Sequence, residues 1–142
     1  IGIQATGKSM FYLKNFFRTH VRVNLDMLKT RRRETLLINA CLEGYTPFVI
    51  DKMNLTAEGR ATYIKPAKTS GFKVIGYVFE SQLPEALERN SLRNGEERVP
   101  DAALRNAVSR LELPTLSEGF DQLFCVRING QGHFNVESMN PS

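Results

Sequence analysis

Short apolar runs and helically spaced apolar positions succeed one another along the chain. The short runs are rich in β-branched and aromatic residues, which predicts strands at 20–24, 47–50, 72–79 and 123–128. Between them, apolar residues recur three and four positions apart, which predicts helices at 10–18, 32–43, 56–69, 83–94 and 100–111. After a polar turn at 129–132, a short return strand is expected at 133–136.

Residues that favour helix ends support these boundaries. Gly44 is suited to cap the helix before it, and Thr56 is suited to cap the start of the next helix, which Gly71 stops. Pro66 lies inside that helix, and we expect its ring to kink the helix or divide it. Pro100 fits the first turn of the last predicted helix.

Strands that alternate with helices are typical of a parallel sheet covered by helices on both faces. In such sheets, ligands bind beyond the carboxyl ends of the strands. The segment 2–9, Asp26 and Asp51 all fall at such ends. The pattern therefore predicts one site that these three segments share.

The first nine residues, IGIQATGKS, carry the strongest motif. Gly2, Gly7, Lys8 and Ser9 match the phosphate-binding pattern G-x-x-x-x-G-K-[ST], in which glycines let backbone N–H groups surround phosphate oxygens. Lys8 is then expected to reach the β- and γ-phosphates, and Ser9 to hold Mg²⁺. A helix should begin at Gly7 or Lys8 and point its positive end at the phosphates. The alternative is a plain glycine turn before a helix. Such a loop follows a strand, so the first strand is expected to be truncated before residue 1.

Two acids follow predicted strands and are candidates for chemistry. Asp26 is placed to accept the proton of an incoming hydroxyl, and Lys29, three residues later, to hold the acceptor or a transferred phosphoryl group. The alternative for Asp26 is the cap of the next helix. Asp51 is a candidate for the Mg²⁺ shell or the acceptor, with Asn54 shaping the turn, and a plain Asx-turn is the alternative there.

Arg89 and Arg93 lie four residues apart, so one helical face would present both. Phosphoryl transfer needs positive charge on the moving γ-phosphate, and arginines on a mobile lid supply it. Arg98 is a weaker candidate for the same role. The run Arg31 to Arg33 is either a solvated helix start or a feature that steers a phosphorylated acceptor.

Composition limits the function classes without choosing among them. The 142 residues are 42% hydrophobic and 24% charged with a net charge of +4, which is ordinary for a globular domain and compatible with phosphorylated ligands. No apolar run approaches the length of a membrane span. Cys41 and Cys125, and likewise His20 and His133, match no metal or catalytic spacing, so we expect a reduced, cytoplasmic protein with no membrane partner.

The motifs GIQATGKS (2–9), VNLDMLK (23–29), FVIDKMNL (48–55) and ALERNSLRNGEERVP (86–100) resemble those of the P-loop kinase domain of 5′-polynucleotide kinases and its small bacterial relatives. The resemblance covers Gly2 to about Leu111. It implies a three-layer α/β/α P-loop NTPase fold of the kinase type with a mostly parallel central sheet. It also implies a single domain over 1–142 with a lid around 86–100.

The resemblance also implies the site residues and the ligands, ATP and Mg²⁺. Asp26 corresponds to the general base, and Arg89 and Arg93 to lid arginines that act with Lys8 in catalysis. Acceptor binding falls to Asp26, Lys29, Asp51 and Asn54, and metal binding to Ser9 and Asp51. The residues expected to bind the nucleotide are Gly2, Gln4, Ala5, Thr6, Gly7, Lys8, Ser9, Met10 and Arg89.

Three departures from the family pattern bear on the acceptor. Lys29 stands where an arginine is expected, Met10 replaces a threonine, and no phosphatase motif follows within the sequence, so we expect a kinase domain alone. The sequence thus predicts an ATP-dependent phosphotransferase acting on a hydroxyl, with a 5′-OH nucleic acid end as the first candidate acceptor. The alternatives are a small-metabolite kinase of the same fold and a non-kinase nucleotide-binding ATPase.

Overall fold

The computed structural model describes residues 1–80, 82–129 and 131–139, with the backbone alone at position 96. Strands and helices alternate along the chain, as the apolar pattern predicts. The strands are β1 (Val21–Val23), β2 (Phe48–Ile50), β3 (Ile75–Phe79), β4 (Gln122–Ile128) and β5 (Phe134–Ser138). The α-helices are α1 (Lys8–Asn15), α2 (Leu25–Leu28), α3 (Arg31–Glu43), α4 (Ala57–Thr69), α5 (Leu83–Ser91) and α6 (Asp101–Arg110). Short 3₁₀ turns cover Gly95–Glu97 and Leu116–Glu118.

The strands form two sheets, where the sequence predicted one central sheet. β1 and β2 pair in parallel in the first sheet. In the second, β3 and β4 pair in parallel and β5 returns antiparallel to β4, which confirms the predicted return strand. Gly130, in the predicted turn before it, lies outside the described residues. The structure is therefore mixed α/β with parallel strands, but its sheet is split.

Ile1 and Gly2 lie between β2 and β3 and bond to both sides. The backbone N of Ile1 donates to Tyr77 O and the N of Phe79 donates to Ile1 O, both at 2.8 Å. On the other side, the N of Gly2 donates to Met53 O at 2.8 Å. No strand lies between β2 and β3 in the described part of the chain, and apart from these bonds their facing edges are unpaired. A cavity of about 250 Å³ lies there, lined mainly by apolar residues and reaching Lys8 and Asp51.

Helix ends agree with the expected caps in most places. The hydroxyl of Thr30 caps α3 and that of Thr56 caps α4. Gly44 ends α3, but the positive φ of 49° falls on the next residue, Tyr45. Pro66 does not divide α4, because it lies in the last turn of that helix.

Two apolar clusters hold the phosphate-loop segment in place. Phe11 of α1 packs on Phe79 and Val126, so α1 covers one face of the second sheet. Ile3 and Ala5 of the loop pack with Ala86, Leu104 and Ala107, so α5 and α6 lie against the loop itself. No helix in the described part of the chain is long and apolar enough to cross a membrane.

Candidate active site

The loop 2–9 is shaped by glycines at its two ends. Gly7 has a φ of 94°, and a Cβ there would lie 2.7 Å from Ile128 Cδ1 and 3.1 Å from Phe134 Cε1. Both the backbone angle and the space exclude a side chain. At Gly2, a Cβ would lie 3.0 Å from Phe79 Cβ. The helix α1 begins at Lys8, as predicted, so its N-terminus faces the loop.

The middle of the loop stores backbone strain. Ala5 has a φ of 61°, a left-handed conformation that costs an L-residue about 1–2 kcal/mol. Its methyl group is buried, and the hydroxyl of Thr6 donates to Ile3 O at 2.8 Å, which closes the turn. Among the described residues, the buried Oε1 of Gln4 has no hydrogen-bond partner. Met10, in the first turn of α1, is exposed.

Lys8 folds back onto its own loop. Its Nζ donates to Ile3 O at 2.5 Å, and the side chain is partly buried. Burial lowers the pKa of Lys8 to about 8, with Asp51 acting in the opposite direction and Arg93 adding to the lowering. Because burial destabilises the charged ammonium group of Lys8, an anionic ligand that contacts Nζ would stabilise it.

Ser9 and Asp51 meet at the carboxyl end of β2. The hydroxyl of Ser9 donates to Asp51 Oδ2 at 3.1 Å, and only 4% of the Asp51 side chain is exposed. Arg22 of β1 joins them: its Nε donates to Asp51 Oδ2 at 2.8 Å and its Nη2 to Ser9 Oγ at 3.0 Å. Hydroxyl and carboxylate oxygens are ligands that Mg²⁺ prefers, so the donor set fits this metal. Among the described residues no three acidic, histidine or cysteine side chains cluster as a metal site. Substrate phosphates and water would have to complete the coordination.

Asp26 lies in the first turn of α2, and Asn24 caps that helix by accepting from Met27 N at 3.0 Å. The cap reading of Asp26 is therefore wrong. Within the described part of the chain, the exposed Asp26 carboxylate makes no hydrogen bond or ion pair. Asn24 also donates from Nδ2 to Asp51 O at 3.0 Å, which ties the end of β1 to the end of β2.

Lys29 and Asn54 both stand at backbone turns with positive φ, 74° and 51°. Lys29 ends α2 with an exposed side chain. Asn54 Nδ2 donates to Lys52 O at 3.2 Å, and its own carbonyl accepts from Arg60 Nη1 at 2.7 Å. Asn54 thus shapes this turn, but its side chain donates backwards to residue 52 rather than accepting from the backbone N–H two residues further on, so it does not form an Asx-turn. The predicted acceptor contacts of both residues stay predictions.

The two arginines predicted to lie on a lid make different contacts. Arg89 Nη1 donates to Ala5 O at 3.5 Å, and its Nη2 lies 3.6 Å from Glu85 Oε2. Arg93 is close enough to Lys8 to lower its pKa, and its Nη1 donates to Glu97 O at 3.0 Å. The expectation that one helical face presents both is wrong, because α5 ends at Ser91 and Arg93 follows in a tight turn.

Three features near this site were missed by sequence reasoning. The first is Arg22, a charged position inside a strand pattern. The second is the fully buried Asn90, whose side chain bonds to both backbone groups of Val99. The third is the buried Glu34, which accepts from Tyr63 Oη at 2.8 Å and pairs with Lys52. Burial and the contact with Glu34 raise the pKa of Tyr63.

A glycine-bounded loop that opens a helix, with a partly buried lysine and a serine–aspartate pair beside it, defines a P-loop nucleotide-binding domain. Comparison with known families agrees, since residues 1–114 match the model of the AAA domain family. The chain belongs to this family.

A curated relative was also found. The chain is similar to the bifunctional polynucleotide phosphatase/kinase of Schizosaccharomyces pombe (strain 972 / ATCC 24843), with 28% identity over 126 residues. The match covers 84% of this chain and 30% of that protein. The chain thus spans about a third of the length of the relative that it matches.

Proposed function

We propose that this chain is an ATP- and Mg²⁺-dependent kinase that transfers the γ-phosphate to a hydroxyl acceptor. The observation that carries the proposal is the convergence of cations on the phosphate loop. Lys8 lies within the loop, Arg89 reaches the carbonyl of Ala5, and the charge of Arg93 lowers the pKa of Lys8. Cationic side chains at such a loop stabilise the charge on a transferring phosphoryl group.

Each step of the transfer has a residue to perform it. Asp26, exposed and unpaired among the described residues, takes the proton of the acceptor hydroxyl. The acceptor oxygen then forms a bond to the γ-phosphorus while the bond to the β,γ-bridging oxygen breaks and ADP leaves. Lys8, Arg89 and Arg93 balance the charge that moves onto the phosphate oxygens. Mg²⁺, held by Ser9 and Asp51, would neutralise charge on the β- and γ-phosphates.

A 5′-OH nucleic acid end is the first candidate acceptor. The curated relative is named as a polynucleotide kinase. Arg31, Arg32 and Arg33 also begin α3, directly after the helix that bears Asp26. Arg33 Nη1 donates to Leu28 O at 3.2 Å, which holds this basic segment against the end of α2. Such a surface suits an acceptor that carries phosphates.

A small hydroxyl-bearing metabolite is the second candidate, favoured by Lys29. A lysine is a point charge and cannot form the two-pronged contact that an arginine makes with a phosphate. Its side chain is exposed and lies at the end of α2. A neutral or weakly charged acceptor does not need the arginine.

An acceptor screen with γ-labelled ATP tests both candidates. The acceptors are 5′-OH oligonucleotides and a panel of small hydroxyl compounds, assayed with wild type, Lys8→Ala, Asp26→Asn and the exposed control Glu43→Gln. General-base catalysis contributes about 10²–10⁴-fold, so Asp26→Asn should lower kcat by that order without changing ATP affinity or stability. Lys8→Ala should remove most transfer and Glu43→Gln none. Wild-type transfer by Lys8→Ala, or by Asp26→Asn, would contradict the assigned role of that residue.

A further inference from the structure

Three donors converge on one oxygen of Asp51. Arg22 Nε and Nη2 both lie 2.8 Å from Oδ2, and the Ser9 hydroxyl lies 3.1 Å from the same atom. An arginine more often spreads its two N–H bonds over both oxygens of a carboxylate. Here both bonds fall on the oxygen that faces Ser9. Asp51 Oδ2 therefore accepts from the guanidinium and from the Ser9 hydroxyl together, at the position where a bound cation would also be attracted.

The hydroxyl oxygen of Ser9 and Oδ2 of Asp51 also have the spacing of two ligands of one metal ion. Adjacent ligands of an octahedral Mg²⁺ lie about 3.0 Å apart, since each metal–oxygen bond is about 2.1 Å. Ser9 Oγ and Asp51 Oδ2 are 3.1 Å apart. Arg22 Nη2 lies 3.0 Å from the first and 2.8 Å from the second. The guanidinium thus bridges the two atoms that a metal ion would bridge.

Arg22 is held in this place but is not enclosed there. Its side chain is 30% exposed, against 4% for Asp51. The guanidinium carbon lies 5.9 Å from the centre of the Tyr12 ring, and Tyr12 is itself fixed by a hydrogen bond from its hydroxyl to His20 O. The arginine can therefore move toward solvent while the buried carboxylate stays where it is.

We propose that Arg22 is the resident cation of the metal site and that it competes with the divalent cation for Ser9 Oγ and Asp51 Oδ2. In the free protein, Arg22 neutralises the buried carboxylate. When a nucleotide brings its metal ion, two cations cannot share these oxygens, and the guanidinium leaves them. The inference rests on the proposed nucleotide site and adds a residue that sets how much Mg²⁺ the protein needs.

Binding of a fluorescent ADP analogue, first in EDTA and then at rising Mg²⁺, tests this competition without any turnover. The variants are Arg22→Gln, which removes the cation, and Arg22→Lys, which keeps a charge but cannot bridge both oxygens. Arg18→Gln is the matched control, because Arg18 is exposed and makes no hydrogen bond or ion pair among the described residues. Thermal unfolding of each variant checks the fold.

The Mg²⁺ concentration that half-saturates ADP binding should fall about tenfold in Arg22→Gln, within the range typical of coupled sites. Arg22→Lys should lie between Arg22→Gln and wild type, and Arg18→Gln should match wild type. An unchanged or higher Mg²⁺ requirement in both Arg22 variants would overturn the inference and leave the nucleotide site intact. Should Arg22→Gln fail to fold, Arg22→Lys alone decides. A wild type that binds no ADP at any Mg²⁺ concentration would instead overturn the nucleotide site itself.

Discussion

The charge of Lys8 is destabilised in the free protein and should be stabilised when a nucleotide is bound. Burial holds the pKa of Lys8 near 8, well below that of a free lysine. The free protein therefore binds fewer protons at Lys8 than the unfolded chain does between about pH 8 and 10.5, and its stability rises with pH across that window. The phosphate oxygens of a bound nucleotide should reverse this lowering of the pKa, because a nearby anion raises the pKa of a lysine.

Nucleotide binding should consequently take up a proton in mildly alkaline solution. We expect an uptake of about one proton per ADP near pH 9 and almost none near pH 7, where Lys8 is mostly charged already and the phosphates of ADP are mostly ionised. Calorimetry in buffers of different ionisation enthalpy measures this number directly. Lys8→Arg is the control, because an arginine keeps its charge throughout this pH range and should abolish the uptake. The same uptake in Lys8→Arg would assign the proton to another group.

At the scale of elements, α5, the following turn and the start of α6 form one arginine-bearing segment. Asn90 Nδ2 donates to Val99 O at 2.6 Å, and Val99 N donates to Asn90 Oδ1 at 3.0 Å. These two bonds close the eight residues from Ser91 to Arg98 into a loop. Because Asn90 is fully buried, we infer that it positions Arg89 and Arg93 before any ligand arrives.

Breaking this amide pair should loosen the segment without unfolding the protein. Asn90→Ala leaves both backbone groups of Val99 without their partner, and because these groups are only partly buried the cost of each should lie below the roughly 1–3 kcal/mol of a fully buried one. We expect faster hydrogen exchange at 91–99 with unchanged protection in β3 and β4. The exposed Asn94, whose side chain makes no cap, is the matched control as Asn94→Ala. Unchanged exchange at 91–99 in Asn90→Ala would show that the pair does not hold the segment.

Local sequence patterns predicted the helices and strands better than they predicted which residues and elements contact one another. Among the described residues, the apolar patterns located strands β1 to β4 and the five longer helices, and the turn at 129–132 located β5, because each signal is contained in one stretch of sequence. The helix α2 was missed because it is a single turn, and Asn24 rather than an apolar period defines its start. The contact of Arg22 with Asp51 spans 29 positions, and no local period carries such information.

At the scale of the whole molecule, sheet pairing was the feature that the sequence predicted least well. The hydrogen bonds that connect the β2 side with β3 run from Ile1 and Gly2 to residues more than 50 positions away, and no local pattern carries that information. The phosphate loop was predicted because its motif is local. Its closeness to the arginine segment follows from packing of Ile3 and Ala5 against α5 and α6. Those contacts are long-range, so they are visible only in the fold.

The identity of the acceptor is a property of the whole charge distribution. The chain has 19 basic and 15 acidic residues, and the basic run from Arg31 to Arg33 lies next to α2, which bears Asp26. A polynucleotide acceptor releases counterions when its phosphates are bound, so its KM should rise steeply with salt. A neutral metabolite has no such phosphates, and its KM should change little with salt concentration.

Acceptor KM against salt for wild type, Lys29→Arg and Arg32→Gln separates the two acceptor classes. With a nucleic acid end, Lys29→Arg should lower KM by offering a two-pronged phosphate contact. In that case Arg32→Gln should also reduce the salt slope by about one phosphate contact. Glu43→Gln, at the far end of α3, should change neither quantity. If the KM of wild type does not change with salt and Lys29→Arg does not lower it, neither the basic run nor position 29 contacts a phosphate of the acceptor. That result would exclude the nucleic acid end and leave the small hydroxyl acceptor.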